Sequence, residues 1–108
     1  MSHHPPLDHP QALAALVAYQ DGAIVSRVLL KTTGGSVTVF AFDAGQELSE
    51  HTAPFDALVQ VLDGEAEITV AGVVHRVPAG EALRLPANRP HAVRAISRFT
   101  MQLTMVRA

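Results

Sequence analysis

The chain has 108 residues, no cysteine and a net charge of -2. That length holds one compact domain with one core. The charge balance excludes a general nucleic-acid binder, which needs a basic face, and the lack of cysteine excludes disulfides and thiolate metal sites.

Residues 1–9 read as a loose tail that carries His3, His4 and His9 among prolines, where termini are poorly ordered. Pro10 to Tyr19 predicts a short helix, capped by Asp8 or His9, with Pro10 in its first turn. Leu13, Leu16 and Val17 fall on one face of it. The apolar run in "QALAALVAYQ" falls short of the ~18 residues of a membrane span. No basic stretch precedes it, so neither a signal peptide nor a membrane partner is expected and the cytoplasm is the default location.

After Gly22 the pattern turns extended. "AIVSRVLL", "SVTVFAF", "DALVQVL", "EAEITV", "VVHRV", "EALRL", "HAVRAI" and "FTMQLTMV" are short runs separated by turn residues. Eight or so such strands predict an all-β sandwich or barrel over residues 10–108. No long helix separates them, which excludes a parallel α/β sheet.

Alternation assigns faces. Phe99, Met101, Leu103 and Met105 share one face. His91 and Val93 share another, from which Arg94 points away, so His91 lies on an apolar interior face. The strands around Val25–Leu30 and Leu58–Leu62 are apolar on both faces, which predicts a homodimer whose second subunit covers the outside. The basic residues cluster late in the chain. Either the strands interleave and the charges mix on one surface, or Arg89 or Arg94 forms an anion-attracting mouth.

Two stretches carry a family pattern. "GQELSEHTAPFDALVQVLDG", Gly45 to Gly64, has the frame of a glycine, five residues, H-x-H, a glutamate and a closing glycine. "GEALRLPANRPHAVRA", Gly80 to Ala95, has the frame of a glycine, five residues, P-x-G, a histidine and a final asparagine. The chain thus resembles the cupin superfamily, small single-domain proteins of the conserved-barrel kind, over roughly residues 35–106. The resemblance implies an antiparallel jelly-roll β-barrel, here with a short N-terminal helix.

The resemblance carries over only in part. His51 falls on the first ligand position of the family's metal site and His91 on the ligand of the second motif. Ala53 replaces a histidine, Ala57 the glutamate and Ala95 the final asparagine. Asn88 stands where glycine is usual and tolerates a left-handed backbone. Two imidazoles without the carboxylate leave most of a first shell unfilled, since zinc sites usually use at least three protein ligands. Asp56 is out of phase with position 57 unless a bulge turns it inward, and Gln60 is out of phase as well. His75 has no motif support and reads as structural or surface.

Two readings of His51 and His91 stay open. They are hydrogen-bonded pocket histidines, neutral through burial, or they hold a weakly bound divalent metal. In the first, His51, Ala53, Ala57, Val59, His91, Val93, Met101 and Leu103 line a mostly apolar pocket with two polar points, the usual form of a small-molecule site. A binding module for a small organic ligand follows from the missing carboxylate. A metal-dependent dioxygenase, isomerase or lyase is the alternative, from the two histidines kept in frame. No Ser-His-Asp set, phosphate loop or carboxylate pair is present. Either way His51 and His91 are expected to face each other across the barrel.

Overall fold

A computed structural model describes residues 7–107; His3 and His4 of the expected tail lie outside them. Among the described residues nine strands pair antiparallel, in two sheets. They are β1 (Ile24–Thr32), β2 (Gly35–Phe42), β3 (Glu47–His51), β4 (Phe55–Asp63), β5 (Glu65–Val70), β6 (Val73–Pro78), β7 (Ala82–Leu85), β8 (His91–Arg94) and β9 (Phe99–Arg107). One sheet runs β1-β2-β9-β4-β7 and the other β3-β8-β5-β6. Eight strands follow the runs read from sequence. The ninth, β3, is exposed along most of its length, so no alternation of apolar residues marked it.

The inner faces meet in a core built around Phe42, Val59, Val61, Ile68, Phe99 and Met101, all buried. Phe42 and Phe99 stack with ring centroids 4.5 Å apart, an arrangement worth about 0.5–1.5 kcal/mol beyond the area buried. Gly64, at φ 73°, closes the β4–β5 turn where an added Cβ would meet the Arg98 carbonyl oxygen, so only glycine fits there.

The helix expected over Pro10–Tyr19 shrinks to one 3-10 turn, Leu13–Leu16, with no side-chain cap. Its job is cover. It packs on β2, β4 and β9, and Leu16, Val39, Ala41 and Thr100 are buried there on the outer face of the five-stranded sheet. Side chains fasten the segment. The Tyr19 hydroxyl donates to Asp63 (2.6 Å) and accepts from Thr100 (2.9 Å). Arg98 lies over the Tyr19 ring and donates to Asp43 and Asp21. The Arg98 guanidinium holds the Asp43 carboxyl below its usual range.

Among the described residues three bulges depart from simple alternation, and each re-aims one side chain. In β4 the pairing runs Val61↔Met101 and then Asp63↔Thr100. The extra residue, Leu62, turns Asp63 outward to Tyr19. In β1 it runs Val28↔Thr38 and then Leu30↔Val37. In β3 it runs Leu48↔Val93 and then His51↔His91.

Candidate functional site

The β3 bulge makes the site. On a regular strand Leu48 and Glu50 would share the inner face, and His51 would point to solvent. One extra residue brings His51 beside His91, which stands two residues from inward-facing Val93. The two rings meet edge to face, with centroids 4.4 Å apart. The expectation that they face each other across the barrel is corrected: they are neighbours within the four-stranded sheet. A ladder row continues from His91 to Val70 and Val73.

Each ring is held by its own main chain. His51 Nδ1 lies 2.9 Å from the Ser49 carbonyl oxygen, and His91 Nδ1 lies 3.3 Å from that of Arg89. A carbonyl only accepts, so a neutral ring places its proton on Nδ1 and leaves Nε2 as a bare acceptor. Neither Nε2 has a hydrogen-bond partner among the described residues. His91 is buried, while His51 is exposed. Burial, and then the neighbouring His51, push the His91 imidazole below its usual pKa, so at neutral pH it is an acceptor and not a cation.

The loop that carries His91 is tied down. Asn88, at φ 63°, adopts the left-handed backbone anticipated for it and donates its N–H to the Ala53 carbonyl (2.8 Å). Asp56 accepts from the Ala87 N–H (3.0 Å). Asp56 is therefore a strut for this loop on the outer face of β4, and no bulge turns it toward the histidines. Gln60 also faces out, where Gln102 donates to it.

Of the expected pocket residues, Val59, Val93 and Met101 are sealed within the core. They cannot line an open cavity, because side chains from both sheets fill the space they share. Ala57 and Leu103 are half-buried against that core, and Ala53 is half-buried in the β3–β4 loop. His75 sits on the inner face opposite Ile68, half-buried. Arg94 points outward near Glu67 (3.9 Å) and Arg76 near Glu65 (3.7 Å), so charges from the two halves of the chain do mix on one surface. Arg89 is exposed, and the mouth expected at Arg89 or Arg94 is not formed by Arg94.

The metal of the fold family does not fit these residues. Two imidazoles are present, alanine occupies positions 53 and 57, and the carboxylate adjacent to position 57, Asp56, is engaged elsewhere. Among the described residues no group of three or more His, Cys, Asp or Glu is placed to hold an ion.

Fold and comparisons agree on the family. Residues 38–107 match the family model of the cupin domain. The chain belongs to the cupin family. A conserved protein of unknown function from Streptococcus pyogenes is 35% identical, with 100% of this chain and 96% of that one covered and a TM-score of 0.89. A cupin superfamily protein from Desulfitobacterium hafniense is 27% identical over 95% of this chain and 94% of that one, also with a TM-score of 0.89. A cupin 2 conserved barrel domain protein from Leptotrichia buccalis is 45% identical over 88% of this chain, with a TM-score of 0.85, and this chain spans 46% of its length. A search of curated proteins found no match. No helix among the described residues is long and apolar enough to cross a membrane.

Proposed function

We propose that this cupin binds a small organic molecule through the two bare Nε2 atoms of His51 and His91. The observation that carries the reading is the pair of Nδ1–carbonyl contacts, which leaves two acceptors side by side with no third donor group to complete a metal shell. Two Nε2 acceptors beside apolar Val70 and Leu48 select a ligand with an O–H or N–H donor on an apolar body. A buried acceptor that gains its donor contributes to affinity, and a ligand lacking the donor leaves it unpaired.

Phenol is the simplest probe. Titration followed by NMR should show saturable binding to the parent protein, weakened about tenfold in His91→Ala, because a hydrogen bond is worth roughly 0.5–1.5 kcal/mol and a desolvated partner left bare costs more. Equal binding by parent, His51→Ala and His91→Ala would overturn the reading.

The alternative, a weakly held divalent metal, is disfavoured, because among the described residues no third ligand joins the two imidazoles.

We also infer a homodimer. Leu30, Val37, Thr104 and Leu58 form one ladder row across the outer face of the five-stranded sheet. Leu30 is 66% exposed, Val106 beside this row 55% and Leu58 41%. The N-terminal segment covers Val39, Ala41 and Thr100 on that face, so a second copy needs to cover only the apolar patch beside them.

A further inference from the structure

A cavity of about 240 Å³ opens at the histidine end of the sandwich, on the opposite sheet. Phe55, in its wall, follows His51 by one short loop. The β1 bulge creates the cavity's charge. On a regular strand Leu30 would share the inner face with Val28, and Lys31 would point away. The extra residue turns Leu30 outward and sets Lys31 in the inner row beside Ser36 and Met105. Arg107 reaches the same end, opposite Phe55 in the β4–β9 ladder. Its guanidinium lies 5.1 Å from the Phe55 ring centroid, and its N–H donates to the Gly34 carbonyl (2.9 Å). Gly35 completes the wall, where any Cβ would strike the Met105 carbonyl oxygen, so this edge stays bare.

Among the described residues no Asp or Glu lines the cavity. Arg76, Arg94 and Arg98 each stand near a carboxylate. Lys31 and Arg107 have no ion pair among the described residues. Two cations with no counter-charge among the described residues, above an apolar floor of Met105 and Phe55, raise the local concentration of anions. A guanidinium and an ammonium together match a carboxylate. The volume lies below the ~300–1,000 Å³ of a drug-sized pocket, which selects a small acid.

We propose that this cavity is a subsite for the carboxylate of a small organic acid, held by Lys31 and Arg107 with Met105 and Phe55 against its apolar body. The proposal deepens the histidine reading by naming an acid as the ligand class, and rests on that reading only for the uncharged end of the ligand.

Benzoate is the probe, titrated by NMR against the parent, Lys31→Gln/Arg107→Gln and His91→Ala. Both cations are exposed, so the double variant should fold, as its circular dichroism will show. Benzoate should bind the double variant at least about tenfold more weakly, since hydrogen bonds to charged groups are worth roughly 1.5–3 kcal/mol. It should bind His91→Ala like the parent, and binding to the parent should weaken with added salt. Benzoate binding that is equal in parent and double variant would overturn the proposal. Inorganic phosphate binding as tightly as benzoate would overturn its organic part. Phenol reports on the histidines separately: loss of phenol binding in His91→Ala without loss of benzoate binding assigns the two ends independently.

Discussion

His51 stands beside His91 in one sheet, ring edge against ring face, with centroids 4.4 Å apart. The β3 bulge places it there, and two main-chain carbonyls set both rings with Nε2 free. The backbone frame of the two motifs is kept, with alanine at positions 53 and 57, where the family resemblance implies an imidazole and a carboxylate.

Stability should fall on mild acidification. Burial holds the folded-state pKa of His91 below its usual 6.5, so below that pH the unfolded chain binds a proton that the folded chain refuses. The contribution is complete above about pH 6.5, declines as pH falls through the folded-state pKa and then levels off. Denaturant titrations at several pH values should show this dependence reduced in His91→Gln. An unchanged dependence in that variant would assign the effect to other groups. Phenol affinity should fall over the same window, because a protonated ring has no acceptor.

Met101→Ala should destabilise the fold by about 2–5 kcal/mol, the range for deleting a large side chain from a core. Met101 is 1% exposed in the central cluster. Equilibrium unfolding checks this. A cost near zero would mean that Met101 lines an open pocket after all.

Light scattering at micromolar concentration should give twice the monomer mass. Leu30→Glu with Val106→Glu should give the monomer mass, because both carboxylates would be desolvated in the shared face. A monomeric parent would contradict the proposed interface.

Ala53→His with Ala57→Glu should raise affinity for nickel, manganese or zinc, since it restores three imidazoles and a carboxylate. Calorimetric titration compares it with the parent. Overpacking costs about 1–3 kcal/mol, so folding is measured first. A folded variant that binds these ions no better would show that positions 53 and 57 do not converge on the histidine pair.

The architecture was legible because β-branched runs and turn residues mark eight of nine strands, and because the two motif frames place His51 and His91. The bulges were not legible. An extra residue at Leu29, or between Leu48 and His51, leaves the composition of a strand unchanged and inverts the faces beyond it. Lys31 therefore carries no mark in the sequence of an inward-facing charge, while the late cluster of basic residues points to Arg89 or Arg94. The covering role of Leu16 and Tyr19 was hidden for another reason. The partners of Tyr19, Thr100 and Asp63, are remote in sequence, so alternation alone assigns the whole outer face to a second subunit.

The central claim is that His51 and His91 present two bare Nε2 acceptors to a small molecule. Nitrogen-15 spectra of the histidine rings above neutral pH test it most directly, because protonated and bare ring nitrogens resonate far apart. The account predicts Nδ1–H tautomers for both rings, and movement of both Nε2 resonances as phenol is added. Nε2–H tautomers, or ring nitrogens that phenol leaves unmoved, would contradict it.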